Sequence, residues 1–359
     1  MNKLSEFVSP GHPDKVADAI SQYILDRYIE QDPDVRYAVE VMVKGLNVYL
    51  AGEITSTVDL RGDMLRFVRE ALIEIGYTME YAEKWGLDHV INPEGITVHI
   101  DISSQSPEIS QGVNNNGYGD QGIFFGYADV NGDEYMMPKS HSLAKNLCHM
   151  LYTQAKEKGV GGLDIKTEII LDGDNWITKI IAAVPCRNDS EYDAVKKSIE
   201  KWYEEHNVDD LPFDPDIILN GTGNYTMHGP VADSGVTGRK LAVDFYGGEF
   251  QLGGGAVIKD GTKADVSLNL YARKLAREWA KKTGQSIKVS LGCCIGKSEV
   301  DYTIETPCGD IIETGRKDLK PKELITNLGL DKPIYFSMHK FGLFGEYQQD
   351  KEWENIDNE

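Results

Sequence analysis

The sequence predicts an α+β protein made of three similar two-layer β-α-β-β-α-β domains. Hydrophobic residues recur at helical spacing in several separate regions, among them 14–31, 143–151 and 263–283. Strand-like segments lie between these regions, and the order of helices and strands returns three times along the chain. A sheet with one apolar face needs a layer of helices to cover it, so each repeat is expected to fold as a two-layer unit.

The three repeats differ in residue sequence but contain a similar series of predicted elements. The first has a helix at 14–31, strands at 37–43 and 47–54, a helix at 65–75 and a strand at 96–102. The second has a strand at 123–128, a helix at 143–151, strands at 165–171 and 176–184, a helix at 195–202 and a strand at 216–219. The third has a strand at 240–246, a helix at 263–283, strands at 286–295 and 301–306, a helix at 320–328 and a strand near 333–336.

Composition narrows the functions that the chain can have. It has 359 residues, with 37 basic and 58 acidic side chains and a formal net charge of −21. Nucleic-acid binding rests on neutralising phosphates with Lys and Arg, so this balance argues against it. An anionic small molecule must therefore bind in a local pocket whose cations overcome the field of the whole chain.

The cysteines and the hydropathy pattern predict a soluble, cytoplasmic protein. The five cysteines are odd in number and include no C-x-x-C pair, which argues against a disulfide framework and a zinc site. No apolar stretch approaches the length of a membrane span, and the first residues lack an apolar signal region. We therefore expect reduced thiols, no membrane partner and no nucleic-acid partner.

The common nucleotide-binding motifs do not fit the chain. Residues 117–122 match G-x-G-x-x-G, but this motif must follow a strand and open a helix. Here it follows three asparagines, 114–116, and runs into the strand-like segment 123–125. No G-x-x-x-x-G-K-[ST] segment occurs anywhere. A bound nucleotide would thus need a different kind of site.

The first helix begins with the segment GHPDK, residues 11–15. Free N–H groups and the positive end of the helix dipole favour a phosphate at such a position. His12 and Lys15 are candidate donors to phosphate oxygens, and Asp14 is a candidate ligand of a bridging Mg²⁺. Taken alone, the segment also fits an ordinary helix start, because Asp and Pro are common in the first turn.

Two later glycine-rich segments also carry cations. Arg239 and Lys240 close the run GVTGRK, and glycine backbone permits the close approach of an anion. The run GGGA at 253–256 is followed by Lys259, Lys263 and Asp265. Lysines at this spacing also fit a solvated face. Three such segments in one acidic chain together indicate an anionic, metal-dependent substrate.

Four residues on predicted strands are further candidates. Asp164 and Lys166 begin one strand, and alternation places them on the same face. Glu40 is a lone carboxylate among valines, and Glu53 closes the next strand. Each glutamate also fits a position that simply faces water.

Five ordered segments are similar to those of one enzyme family. GHPDKVAD, QSPEISQGV, GDQGIFFGYA, GPVADSGVTGRK and VDFYGGEFQLGGGA closely resemble methionine adenosyltransferase, also called S-adenosylmethionine synthetase. The resemblance runs from residue 4 to about 306, with weaker similarity at 333–335 and 341–342. It implies three intertwined domains, which we expect at 1–103, 119–227 and 228–359, with a mobile active-site loop at 104–118.

The resemblance also implies the reaction. In this family methionine sulfur attacks C5′ of ATP, and the triphosphate leaves and is hydrolysed to pyrophosphate and phosphate. Mg²⁺, expected as two ions per site, and K⁺ are the implied cofactors, and ATP and L-methionine the implied substrates. Family members self-associate as homodimers or as dimers of dimers, that is homotetramers, with active sites shared across the interface.

Site residues are carried over from the matching motifs. The implied ATP contacts are His12, Asp164, Lys166, Asn224, Tyr225, Asp233, Arg239, Lys240, Ala256 and Lys259. The implied methionine contacts are Glu53, Gln105, Asp120, Asp233 and Lys263. The implied metal ligands are Asp14 and Asp265 for Mg²⁺ and Glu40 for K⁺. The residues expected to act on the leaving triphosphate are His12, Lys166, Arg239, Lys240 and Lys259.

The chain departs from the family pattern at three places. NYTMH at 224–228 replaces the usual Arg-Phe-Val-Ile-Gly, one residue fewer separates Ala256 from Lys259, and Val266 stands where an arginine is common. Two other functions remain as alternatives. One is an inactive regulatory subunit that binds nucleotide or a partner, and the other is a Mg²⁺-dependent phosphotransferase or triphosphatase.

Overall fold

The computed structural model describes residues 2–104, 117–206 and 214–356. The β-strands are β1 Lys3–Val8, β2 Arg36–Lys44, β3 Asn47–Thr55, β4 Thr97–Ser103, β5 Gly122–Ala128, β6 Lys166–Leu171, β7 Ile177–Ala183, β8 Asp216–Leu219, β9 Gly235–Val236, β10 Ile287–Cys293, β11 Glu299–Glu305 and β12 Ile311–Asp318. The α-helices are α1 Pro13–Ile29, α2 Met64–Ile75, α3 Met79–Trp85, α4 Lys139–Thr153, α5 Asp189–His206, α6 Leu241–Asp244, α7 Ala264–Thr283, α8 Pro321–Asn327 and α9 Tyr335–His339.

The strands form three four-stranded sheets that exchange strands along the chain. Their orders are β1-β6-β7-β8, β4-β3-β2-β9 and β12-β11-β10-β5. In each sheet one strand comes from a distant part of the sequence: β1 pairs with β6, β9 with β2, and β5 with β10, all antiparallel. The predicted α+β class with intertwined units is therefore correct. The limits of the three domains stay a prediction.

Helices cover one face of each sheet. The buried face of α1, including Val16, Ile20 and Ile24, joins the same core as Val39 and Val41 of β2. The long helix α7 lies so close to β5 that a Cβ at position 126 would stand 1.9 Å from the Ala272 carbonyl oxygen. Glycine is therefore required where that helix crosses the strand.

Two predicted strands are helices in the structure. Residues 240–246 contain α6, and the strand of this region is the earlier two-residue β9. A short apolar run does not distinguish a strand from a buried helix, which explains the error. Residues 335–339 form α9, whose first N–H groups, of Tyr335 and Phe336, are both accepted by the Asp26 carboxylate at 2.9 Å. Asp26, which caps α9 in this way, belongs to α1, far away in sequence.

Besides β9, the prediction lacked β1, α3 and β12. Every residue of β12 is exposed, so the strand has no buried face and no alternating hydrophobic pattern. The short strand β1 finds its partner, β6, more than 150 residues away in sequence, where Lys3 lies opposite Leu171. Sequence periodicity does not report such a pairing.

The C-terminal segment is anchored by a buried ion network. Trp353 is buried and donates from Nε1 to the Leu343 carbonyl at 2.8 Å. Glu354 accepts from Arg273 at 2.8 Å and also pairs with Arg277 at 3.0 Å. The guanidinium of Arg273 is fully buried and also donates to the carbonyl of Tyr135 in the loop before α4. The acidic end of the chain is thus part of the fold as far as residue 356.

All five cysteines are free in the structure. In the described ranges no helix is long and apolar enough to cross a bilayer.

Candidate active site

The start of α1 is the centre of a cluster of charged side chains. His12 is the N-cap of this helix, and its Nδ1 accepts from the Asp14 N–H at 3.2 Å, while Pro13 occupies the first helical position. Burial, together with the cations of Lys240 and Lys166, lowers the pKa of His12 to about 4. His12 is therefore a neutral hydrogen-bonding group at neutral pH.

Asp14 is the buried anion of this cluster, with a relative exposure of 2%. Its Oδ2 accepts from Lys240 Nζ at 2.7 Å, and its Oδ1 accepts from the Val236 N–H at 3.0 Å. Arg239 Nε lies 3.7 Å from the same Oδ1. Burial alone would raise the pKa of Asp14, but the contacts with Lys240 and Val236 lower it below its usual value. Asp14 is thus ionised at neutral pH.

Glycines bring Arg239 and Lys240 to the helix start. Gly235 in β9 packs against the backbone of α1, because a Cβ there would stand 1.9 Å from the Pro13 carbonyl oxygen. Gly238 has a φ of +73°, and its N–H donates to Asp18 at 2.9 Å. Both positions exclude larger side chains, so the glycine-rich sequence determines where the two cations lie.

Asp164 and Lys166 belong to the same cluster and lie around the start of β6, in the sheet β1-β6-β7-β8. Asp164 Oδ2 accepts from the Gly229 N–H at 2.8 Å, and burial raises the pKa of this carboxyl to about 7. Lys166 is about half exposed and pairs with Glu6 at 2.6 Å. Strand β6 begins at Lys166, so Asp164 precedes it and the predicted alternation does not apply to the pair.

We call this group the helix-start cluster. It consists of His12, Asp14, Asp164, Lys166, Asp233, Arg239 and Lys240. The charge of Asp233 acts on both His12 and Asp164, which places it beside them. The structure brings these candidate residues of the sequence into one group.

The structure contradicts the prediction that Lys15 donates to a bound phosphate. It is buried, and its Nζ pairs with Asp244 at 2.6 Å and Asp18 at 3.3 Å, so it points into the protein and not toward a bound phosphate. Burial opposes the charge of Lys15, but the two carboxylates raise its pKa above the usual value. Sequence reasoning missed Asp18 and Asp244, although both lie in the segments GHPDKVAD and VDFYGGEFQLGGGA that resemble the family.

A second group, which we call the glycine-loop cluster, lies at the start of α7. Lys259 Nζ pairs with Asp265 Oδ2 at 2.8 Å, and Asp265 Oδ1 accepts from the Gly255 N–H at 2.7 Å. Lys263 is the N-cap residue of α7, directly before the turn that contains Asp265. The cluster consists of Gly253, Gly254, Gly255, Lys259, Lys263 and Asp265.

The chain segments beside the two clusters touch through small residues. Ala256, next to Gly255, is buried against Gly238 of the run GVTGRK. A Cβ at position 238 would stand 2.6 Å from the Ala256 Cβ. Asp120 lies near the second cluster: its side chain is exposed, and its carbonyl accepts from Cys293 Sγ at 3.6 Å. Cys293 in turn lies within the field of Asp265.

Glu40 and Glu53 lie on the open face of the sheet β4-β3-β2-β9. In β2, Glu40 alternates with buried Val39 and Val41, and it accepts a hydrogen bond from Thr237. Glu53 is partly exposed and lies two residues beyond Ala51, which pairs directly with Glu40 across the two strands. Met42 and Tyr49 are exposed on this face, so it presents apolar as well as acidic groups.

The remaining candidate residues differ in whether they lie beside the helix-start cluster. Tyr225 is partly buried, and the charge of Asp164 acts on its hydroxyl, which places it beside the helix-start cluster. Asn224 is exposed and contacts Asp189 at 3.4 Å. Gln105 and most of the expected loop lie outside the described residues.

The carboxylates of both clusters fit Mg²⁺. This ion binds proteins through one or two carboxylates and completes its shell with water and substrate phosphates. Asp14 and Asp265 each have ionic partners, Lys240 and Lys259, that could turn to phosphate oxygens when an ion takes the carboxylate. Within the described ranges no three acidic, cysteine or histidine side chains form a complete metal site.

Comparisons with known proteins agree with this geometry. Residues 2–107, 115–225 and 227–355 match the N-terminal, central and C-terminal domains of S-adenosylmethionine synthetase. The chain is 35% identical to the S-adenosylmethionine synthase of Mycoplasmopsis synoviae, covering 99% of this chain and 96% of that one. It is 34% identical to that of Finegoldia magna, with 98% and 96% covered. An unusual S-adenosylmethionine synthetase from Campylobacter jejuni has the same fold, with a TM-score of 0.88 and 31% identity over 99% of this chain and 97% of that one.

The three interlocked α+β units have the fold of S-adenosylmethionine synthetases, and the buried Asp14 carboxylate with its cations lies within this fold. The matches to all three domains make the class specific. The chain belongs to the S-adenosylmethionine synthetase family, transferases that form S-adenosylmethionine from ATP and methionine and need metal ions.

Proposed function

We propose that the chain forms S-adenosylmethionine by a direct displacement at C5′ of ATP. A lone pair of methionine sulfur forms the S–C5′ bond as the C5′–O bond breaks, and the bonding pair leaves on the triphosphate. Hydrolysis of the triphosphate to pyrophosphate and phosphate follows. The helix-start cluster carries the proposal, because its cations, at the positive end of the α1 dipole, suit a leaving polyphosphate.

The residues of the helix-start cluster stabilise charge on the leaving group. Lys166 and Arg239 are about half exposed, so their cations are available to a ligand. Lys240 is held against Asp14, and neutral His12 offers a ring nitrogen to a phosphate oxygen. Fixed charges of this kind act most strongly in a site closed to water, which gives them their catalytic effect.

Asp14 and Asp265 are the proposed Mg²⁺ ligands, and Glu40 is the proposed K⁺ ligand. Bound Mg²⁺ would supply charge neutralisation along the triphosphate. Lys259 would also neutralise charge on the triphosphate. It is paired with Asp265 beside glycine backbone that lets a phosphate approach. Ala256 packs against Gly238, the residue before Arg239.

Methionine is the proposed second substrate at the acidic side of the site. Its ammonium group suits the carboxylates of Glu53, Asp120 and Asp233, and its carboxylate suits Lys263. Asp164, Tyr225 and Asn224 are the proposed contacts of the nucleoside. Gln105 and the loop 104–118 stay predictions from sequence.

We further propose that two copies complete each active site. In the described ranges no helix covers the sheet face that carries Glu40 and Glu53, and Met42 and Tyr49 are exposed on it. Large exposed apolar groups on a sheet face favour association. A homodimer, or a homotetramer as a dimer of dimers, would cover them. A cytoplasmic location is part of the same proposal.

One assay tests the function. The purified protein is incubated with adenine-labelled ATP, Mg²⁺ and K⁺, with and without methionine. We expect label in a cationic sulfonium product, together with equal amounts of phosphate and pyrophosphate, only when methionine is present. Phosphate release without methionine and without labelled sulfonium would indicate a triphosphatase. ATP binding without turnover would indicate a regulatory subunit.

A further inference from the structure

A closed ring of hydrogen bonds lies behind Asp164. Tyr81 Oη accepts from the Leu163 N–H at 2.9 Å and contacts His228 Nε2 at 2.5 Å. Leu163 precedes Asp164, whose Oδ2 accepts from the N–H of Gly229 at 2.8 Å, and Gly229 follows His228. Tyr81, Leu163, Asp164, Gly229 and His228 thus form a loop that returns to its starting residue.

The partners determine the proton positions in this ring. His228 Nδ1 lies 2.7 Å from the Thr226 carbonyl, which can only accept, so Nδ1 carries the hydrogen. Nε2 is then the acceptor and Tyr81 the donor to it. Burial lowers the pKa of His228 to about 4, which keeps its imidazole neutral at neutral pH. Tyr81 therefore uses its hydroxyl as donor and acceptor at the same time.

The surroundings hold the histidine in one orientation. His228 is fully buried, and its ring meets Trp85 edge-on at 4.7 Å between centroids. Its backbone N–H donates to the His89 carbonyl at 3.1 Å. The residues that follow α3 therefore hold the segment before Gly229, and this segment in turn holds Asp164.

The other side of Asp164 is fixed by Ser9. Its hydroxyl donates to the Leu163 carbonyl at 2.5 Å and accepts from the Ile165 N–H at 2.9 Å. Ser9 lies three residues before His12. Asp164 is thus held between the segment that leads to His12 and the pair Tyr81–His228.

We propose that Tyr81 and His228 are positioning residues that hold the Asp164 carboxylate toward the nucleoside of ATP. They act through the Leu163 and Gly229 backbone and touch no substrate. The inference rests on the proposed function of Asp164 as a nucleotide contact. Without the Tyr81 hydroxyl, the Leu163 N–H and His228 Nε2 lose their partner, and the segment that carries Asp164 is released on one side.

The test is direct binding of ATP, measured by calorimetry without methionine, on the full protein. Tyr81→Phe keeps the ring packing, and we expect it to weaken ATP binding by about tenfold, as loss of a buried hydrogen bond to two partners predicts. His228→Phe should weaken it similarly. The double variant should be no weaker than either single one, because both break the same ring. His228→Gln keeps an acceptor and a donor and should restore most of the affinity.

Tyr152→Phe is the matched control. Tyr152 is also buried and donates to a backbone carbonyl, that of Ile75, outside the ring around Asp164. We expect it to lower the melting temperature as Tyr81→Phe does, with wild-type affinity for ATP. In turnover assays, Tyr81→Phe should raise KM for ATP and leave KM for methionine unchanged.

Equal ATP affinity in wild type, Tyr81→Phe and His228→Phe would overturn the inference and leave the proposed function intact. So would an equal loss of affinity in Tyr152→Phe, since the effect would then be general destabilisation. Wild-type protein that binds no ATP would overturn the proposed function itself, and the inference with it.

Discussion

Replacing Lys166 with methionine should lower the rate of S-adenosylmethionine formation by about a hundredfold or more, the range seen when one electrostatic group of a transition state is removed. Lys166 is about half exposed beside Glu6, so its loss opens no core cavity and the fold should persist. Its charge acts on His12, the N-cap of α1, where we propose that the triphosphate leaves. Initial rates at saturating ATP and methionine, with a circular dichroism melt of both proteins, measure the effect.

Lys179→Met is the control for this variant. Lys179 belongs to the neighbouring strand β7 and also pairs with a carboxylate, that of Asp216, at 2.9 Å. Its replacement removes the same charge from the same sheet, away from the helix start. We expect a rate within about twofold of wild type, as for most surface substitutions. Similar rates for both variants would remove Lys166 from the mechanism.

Replacing Glu354 with alanine should lower the free energy of unfolding by about 3–5 kcal/mol, the usual cost of breaking a buried ion pair by removing one partner. Arg273 has no exposed surface, and it would keep its charge in the core without its carboxylate. Arg277 would lose the same partner. Chemical denaturation of the two proteins gives the difference directly.

Glu352→Ala is the matched control, because Glu352 is exposed two residues earlier in the same segment. Its effect should stay within about 0.5 kcal/mol. A loss below about 1 kcal/mol for Glu354→Ala, within the range of an exposed pair, would show that the C-terminal segment is not part of the core.

The sequence predicted elements whose signals are local. The helical spacing of Val16, Ile20 and Ile24 located α1, and the strand-like segments 165–171 and 176–184 located β6 and β7. The exchange of β1, β5 and β9 between sheets depends on pairing across long distances, which periodicity does not encode. The intertwining was anticipated only through the resemblance to a family.

The site residues also divide into those with a local sequence signal and those whose position depends on distant parts of the chain. Glycine-rich segments with cations pointed to Asp14, Arg239 and Lys240, since glycine and charge are visible in the sequence. The inward direction of Lys15 could not be predicted, because it depends on Asp244, more than 200 residues away. The pairing of Tyr81 with His228 is hidden for the same reason.

Complementation between two inactive variants tests most directly whether two subunits build each active site. Lys166→Met disables the helix-start cluster, and Asp265→Asn disables the glycine-loop cluster, so neither variant alone should turn over. The two chains are co-expressed with different tags, and the hybrid is isolated on both. If the clusters come from different subunits, each hybrid dimer has one intact site and should show about half the wild-type rate. A hybrid as inactive as its parents would contradict the shared site.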